Sequence, residues 1–202
     1  VDFFKSCETN TCTLYLGDVQ TLKLSFAIWL IDDYTEDRPI GSIRAEIENM
    51  GKKAFSNLSG YYYFTGLEAG NYIVNIKPEL YFPEQIPVDM SAFPDPKNPI
   101  VEVNGKPEVV LKPKPGYPFP AGATLIRGLI VSGSGKPVGG LRVHVKGKDL
   151  ENLTDSRGEF VLYFKNVVNT EQVILIINEE TDEHSFTVEE GKTVSAKKIL
   201  IQ

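Results

Sequence analysis

The stretch Arg38-Pro39-Ile40-Gly41-Ser42-Ile43-Arg44-Ala45-Glu46-Ile47 returns 98 positions later as Lys136-Pro137-Val138-Gly139-Gly140-Leu141-Arg142-Val143-His144-Val145. Ser56-Asn57-Leu58-Ser59-Gly60-Tyr61-Tyr62 falls on Thr154-Asp155-Ser156-Arg157-Gly158-Glu159-Phe160 at the same offset, with no gap. Matched proline, glycine and apolar alternation at a fixed spacing is the trace of one supersecondary solution used twice. It restricts a chain of 202 residues to two copies of a small unit, each of ordinary domain size and able to bury its own core.

Strand signals fill both copies. Leu22-Lys23-Leu24-Ser25-Phe26-Ala27-Ile28-Trp29-Leu30 alternates with period two, as do Ile43-Arg44-Ala45-Glu46-Ile47, Leu141-Arg142-Val143-His144-Val145 and Ser185-Phe186-Thr187-Val188. Turn residues interrupt at short intervals and no segment carries a helical stripe between caps. The pattern predicts an all-β fold with an antiparallel sandwich in each half. By parity, Leu24, Phe26, Ile28, Tyr62, Phe64, Phe160 and Leu162 point inward, while Trp29, Tyr61 and Tyr63 point the other way. Asp32 stands 98 positions before Ile130, so the end of the first strand of the first unit is expected to face solvent or bulge.

Lys112-Pro113-Lys114-Pro115-Gly116-Tyr117-Pro118-Phe119-Pro120 carries four prolines in nine residues. Proline lacks the ladder donor and stiffens the chain, so this stretch reads as a semi-rigid extended connector. The expected organisation is a first unit over 1–112 that includes an N-terminal extension, a connector over 113–122, and a second unit over 123–202. A second proline-rich stretch, 82–99, predicts a long loop between the last strands of the first unit. Both halves close on a strand, a glycine turn and a final strand: Asn104-Gly105 precedes Val109-Val110-Leu111, and Gly191 precedes Ile199-Leu200-Ile201.

The second half reads Gly128-x-Ile130, then Lys136-Pro137-Val138-Gly139-Gly140-Leu141-x-Val143-x-Val145, then Thr154-Asp155-x-x-Gly158-x-Phe160. It resembles the carboxypeptidase regulatory-like family. The first half resembles it through Arg38-Pro39-Ile40-Gly41, Ser56-Asn57-x-x-Gly60-x-Tyr62 and Gly66-Leu67-Glu68-Ala69-Gly70-Asn71-Tyr72-x-Val74. The resemblance spans roughly 22–112 and 124–202 and implies two tandem seven-stranded prealbumin-like (transthyretin-like) Greek-key β-sandwiches. The residues agree independently. Pro39 and Pro137 preset turns, Asn57 and Asp155 can bond the backbone of their own turn, and Gly60 and Gly158 can supply a positive φ. These are shape-forming residues, and the family motif says little about function.

Enzymes of the prealbumin-like group include a hydroxyisourate hydrolase, with a histidine- and arginine-lined channel, and intradiol dioxygenases, with two tyrosines and two histidines on iron. This chain holds two histidines, His144 in a strand and His184 beside Glu179-Glu180-Thr181-Asp182-Glu183. Neither has a companion at metal-ligand spacing, and no serine or cysteine nucleophile motif occurs. No catalytic residue and no cofactor are expected. Gram-positive adhesin sandwiches with a lysine–asparagine cross-link resemble the region 64–72, but their carboxyl partner has no counterpart in Ile73-Val74-Asn75-Ile76.

Other features point to binding. Outward Trp29, Tyr61 and Tyr63 could stack on sugar rings or anchor a protein, with packing under the 82–99 loop or against the N-terminal segment the favoured alternative. Asp32, Asp33, Glu36 and Asp37 form a dense acidic loop with oxygen ligands for calcium, yet without the glycine and distal glutamate of a loop cage, so a solvated turn is the expectation. Asn57-Leu58-Ser59 and Asn152-Leu153-Thr154 match the glycosylation sequon. Cys7 and Cys12 can form a disulfide if the segment between them folds back as a hairpin, and cannot if it runs straight; bridge and free thiols both stay open.

Composition narrows the class. A net charge of −6 without a basic stripe argues against a nucleic-acid partner, and no apolar run reaches the length of a membrane span. The chain opens at Val1 without methionine, which predicts a removed or preceding segment. The expected role is a non-catalytic structural or interaction module of a secreted or surface-anchored protein, a spacer whose edge strands can accept a partner strand. The alternatives are a carbohydrate-binding module using Trp29, Tyr61 and Tyr63, and a component of a larger phage-like or cytoplasmic assembly. The expected partner is a protein or a surface glycan.

Overall fold

The computed structural model describes residues 23–91, 93, 99–178 and 183–201, together with the backbone of 3–8 and 11–16. An N-terminal antiparallel hairpin is built from β1 (Phe3–Glu8) and β2 (Thr11–Leu16). Seven strands follow: β3 (Leu24–Asp32), β4 (Ile43–Ile47), β5 (Phe55–Ser56), β6 (Tyr61–Thr65), β7 (Asn71–Pro78), β8 (Glu84–Asp89) and β9 (Glu108–Leu111). A second seven repeat the plan: β10 (Thr124–Ser132), β11 (Arg142–Val145), β12 (Glu151–Leu153), β13 (Glu159–Phe164), β14 (Thr170–Ile177), β15 (His184–Glu189) and β16 (Thr193–Ile201). Among the described residues there is no helix, and so none long and apolar enough to cross a membrane.

Each seven makes a sandwich of two sheets. The first stacks β5-β6-β3-β9 on β4-β7-β8; the second stacks β13-β10-β16 on β12-β11-β14-β15. In both, the opening strand is central, antiparallel to the fourth strand and parallel to the last: β3 lies between β6 and β9 as β10 lies between β13 and β16. One strand changes sides. β5 pairs with β6, whereas its counterpart β12 pairs with β11 in the other sheet. The cores are separate. Phe26, Ile28, Leu30, Phe64, Val74 and Ile76 fill the first, and Ile126, Ile130, Phe160, Leu162 and Leu175 fill the second.

The repeated turn acts in both copies as its residue types dictate. Asn57 Oδ1 accepts the N–H groups of Ser59 (3.0 Å) and Tyr61 (3.1 Å), and Asp155 Oδ1 accepts those of Arg157 (2.8 Å) and Glu159 (3.0 Å). Gly60 and Gly158 close these turns at φ 83° and 73°. Each then offers its carbonyl to the opening strand, Gly60 to Leu30 N–H and Gly158 to Ile130 N–H.

Those last bonds correct the alignment. Leu30, not Asp32, is the counterpart of Ile130. The loop 33–38 is two residues longer than 133–136, so a gap is needed between the opening strand and the proline turn. Asp32 neither faces solvent nor bulges; it is fully buried, at 0% exposure. A real bulge lies at the other end of β3. The register slips between Leu24 and Phe26, where Ser25 Oγ accepts Leu67 N–H at 2.9 Å, and the slip turns Leu24 out to half-exposure. The 82–99 stretch also differs from the expected loop. Its first part is β8, whose Ile86 and Val88 are buried. Pro87 is tolerated because β8 is an edge strand, where a missing donor breaks no ladder.

Candidate functional site

Among the described residues, a cluster of buried polar and aromatic groups lies between the sandwiches. β3 ends in Asp32, and the chain turns back at once: Asp32 N–H donates to Asp37 O at 2.9 Å and Glu36 N–H to Asp32 O at 2.9 Å. This turn points the Asp32 carboxylate inward. Oδ1 accepts Tyr34 N–H (2.7 Å) and Thr35 N–H (3.4 Å); Oδ2 accepts the hydroxyls of Tyr81 (2.9 Å) and Tyr117 (2.5 Å). Tyr81 OH in turn accepts Ile40 N–H at 2.9 Å. Four donors fill the acceptor sites of the carboxylate, which satisfies a charge that burial would otherwise penalise heavily.

The connecting segment is held by both sandwiches. Lys114 N–H donates to Leu80 O and Tyr117 N–H to Lys114 O, which seats Tyr117 over Asp32. From the second sandwich, Arg127 donates to Pro115 O at 2.6 Å and lies 5.5 Å above the Phe119 ring. Asn152, buried, donates to Pro113 O (2.9 Å) and Val161 O (3.0 Å). Tyr34 meets Phe119 edge-on at 4.9 Å and Tyr163 at 5.7 Å, and Tyr117 meets Phe119 at 4.7 Å. Edge-to-face packing of this kind adds to the burial of the rings themselves. Tyr163 OH donates to Asp33, Lys165 pairs with Glu36 at 2.7 Å, and Lys112 pairs with Glu151 at 2.9 Å.

Burial first, and the Asp32 and Asp33 carboxylates second, push the Tyr117 and Tyr163 phenols well above their ordinary range; burial does most of the same for Tyr81. The hydrogen bond from Lys112 holds Glu151 below the usual carboxylate value, and that from Lys165 does the same for Glu36. The phenols are therefore protonated donors and Asp32 is a saturated acceptor. Such a set locks the geometry of the joint.

The acidic loop is thus divided among separate partners. Asp32 turns to Tyr81 and Tyr117, Asp33 to Tyr163, Glu36 to Lys165, and Asp37 to Arg38 N–H at 2.7 Å. No group of three or more acidic, histidine or cysteine side chains gathers among the described residues. His144 and His184 lie apart on β11 and β15, both half-buried, and His144 Nδ1 is buried with no partner. Asn152 spends its amide on the joint, so of the two sequons only Asn57 is exposed. The backbone pairs Cys7 with Cys12 in register, while their side chains lie outside the described residues.

Trp29, Tyr61 and Tyr63 do come together on the outer face of β6-β3. Trp29 stacks on Tyr61 with ring centroids 5.7 Å apart, and Phe55 stacks on Tyr63 at 5.6 Å. Beside them a groove of 420 Å³ runs between Tyr61 and Tyr63 on one side and Pro99 and Ile100 on the other. Of the joint's carboxylates, the sequence reading names Asp32, Asp33 and Glu36, as members of an acidic loop weighed for calcium and expected to be a solvated turn. It missed Tyr81, Tyr117, Tyr163, Arg127 and Asn152. A usable signal was present: two aromatic residues in a connector otherwise built of proline, lysine and glycine.

No protein-family model matches this chain, and no curated protein matches it. Among solved structures it is similar to the Bacillus anthracis TIE protein, with a TM-score of 0.30 and 13% identity over 95% of this chain and 36% of that one. It is similar also to GBS52, the minor pilin of Streptococcus agalactiae, with a TM-score of 0.30 and 15% identity over 88% of this chain and 97% of that one. A streptococcal ancillary pilin gives a TM-score of 0.29 and 12% identity over 96% of this chain and 72% of that one. This chain therefore spans little more than a third of the length of the TIE protein.

Proposed function

We propose that this chain is a non-catalytic structural module of a secreted or cell-surface protein: two copies of a carboxypeptidase regulatory-like sandwich held at a fixed angle, acting as a spacer and a platform for a protein partner. The observation that carries this reading is the joint. A flexible tether needs no buried carboxylate, yet here Asp32 is fully buried beneath Tyr81 and Tyr117 of the first sandwich and its connecting segment, while Tyr163, Arg127 and Asn152 of the second grip the neighbouring loop and that segment. Linker aromatics spent on such packing favour a member that transmits orientation and force over one that merely links. Residual dipolar couplings on the isotopically labelled chain test it. The two sandwiches are expected to report one common alignment tensor. Independent tensors for β3–β9 and β10–β16 would show two freely jointed units and end the spacer reading.

A further inference from the structure

The two sandwiches treat one equivalent surface differently. In the second, the outer face of β13-β10-β16 is covered: Leu125, Val161 and Tyr163 are buried there with Ala123 beneath Phe119 and Tyr34, and Arg127 reaches over Phe119 to Pro115 O. The cover is the stretch directly preceding β10, completed by the tip of the loop 33–38. In the first sandwich the matching positions follow from register. Ala27 opposes Tyr63 as Arg127 opposes Val161, and Trp29 opposes Tyr61 as Leu129 opposes Glu159. Here Tyr61 and Tyr63 stay half-exposed, Leu24 and Phe55 are 43% and 51% exposed, and the small Ala27 opens the groove where Arg127 fills its counterpart.

We propose that the stretch directly preceding β3, the β1–β2 hairpin with residues 17–22, packs on this aromatic face as residues 113–123 pack on its twin. The hairpin's register places Phe3, Lys5 and Cys7 and their partners Leu16, Leu14 and Cys12 on one face, with a single charge among them. A two-stranded hairpin is marginal by itself in water and needs a surface to cover that face. Seven residues between Leu16 and β3 reach about 24 Å when extended, enough to fold back over β6-β3. A second copy of the chain fits less well. The first sandwich covers its neighbour with Tyr34 at the tip of 33–38, and the matching loop of the second, Gly133-Ser134-Gly135-Lys136, is shorter and has no aromatic ring. The proposal goes beyond the spacer reading and is tested separately, since the alignment tensors of the sandwiches do not involve the hairpin.

Trp29 is the only tryptophan and reports on the face directly. In the full chain, the Leu14→Asp/Leu16→Asp variant is expected to shift Trp29 emission to the red and increase its quenching by acrylamide. Hairpin amides are expected to be protected from hydrogen exchange in the unaltered chain, and Tyr63→Asp to lower that protection about tenfold or more while β7 and β14 amides keep theirs. Should Tyr63→Asp loosen β7 as well, Ala27→Arg, which installs the residue carried at the twin position, makes the same test. Free-peptide exchange of the hairpin in the unaltered chain, or a Trp29 signal blind to the hairpin substitutions, overturns the proposal. So does a concentration-dependent dimer abolished by Tyr63→Asp, which assigns the face to a second copy, or Trp29 quenching by an oligosaccharide, which assigns it to a glycan.

Discussion

At the scale of single residues, Asp32 shows how one buried charge organises its surroundings. Tyr117→Phe deletes a charge-assisted hydrogen bond and is expected to lower unfolding free energy by about 2 kcal/mol; Tyr163→Phe, on the less buried Asp33, by about 1 kcal/mol. Urea unfolding of each variant against the parent measures both, and equal small losses would mean that Asp32 is hydrated and not held by the phenols. Glycines separate local strain from close packing. A Cβ at Gly158 would sit 2.5 Å from Ile130 O, while one at Gly135 meets nothing within 4 Å; both have positive φ. Gly135→Ala is expected to cost about 1 kcal/mol from the left-handed backbone alone. Gly158→Ala should lose roughly 3 kcal/mol or more, because the turn must move off the opening strand. A thermal melt of the pair checks the ranking.

At the scale of elements, register decides chemistry. Glu8 opposes Thr11 across a two-residue loop, so Cys7 and Cys12 form the next pair of the hairpin. That pair is the non-hydrogen-bonded kind, with Cα atoms about 4.5 Å apart, which a disulfide can span. Alkylation of the denatured protein without reductant is expected to leave both cysteines unlabelled when the chain is made in an oxidising compartment. Two added alkyl groups in the mass spectrum would show free thiols. Register also explains two departures from simple alternation. The slip at Ser25 moves Leu24 to the outer face, and edge placement lets β8 carry Pro87. Period-two reading counts residues along one strand and is blind to a residue inserted against its partner.

At the scale of the molecule, the joint makes stability depend on pH at both ends. Tyr81, Tyr117 and Tyr163 have raised values in the folded chain. Their contribution is therefore complete below the ordinary phenol value of 10.0 and is lost as pH rises above it. Glu151 is lowered by Lys112, so its contribution is present above the ordinary 4.5 and fades as pH falls below that value. Melting temperature is expected to hold level between these limits and to drop beyond each. On the alkaline side, tyrosinate absorbance should show four of the nine tyrosines titrating late, the three of the joint and Tyr62, which burial alone raises, together with the loss of a common alignment tensor. Nine tyrosines titrating as one early group would mean the joint is open to water.

The repeat, the all-β class, the two separate cores and the Asn57 and Asp155 turns could be read from the chain alone, because alternation and turn chemistry act over a few neighbouring residues. Only the tertiary structure decided the fate of Asp32, Tyr117 and Tyr163, which lie far apart in sequence and meet where two sandwiches abut. Asp32 keeps the inward parity of Ile28 and Leu30, but the hydroxyls that make a carboxylate tenable there come from Tyr81 and Tyr117, and no local pattern encodes what a distant surface will place opposite it.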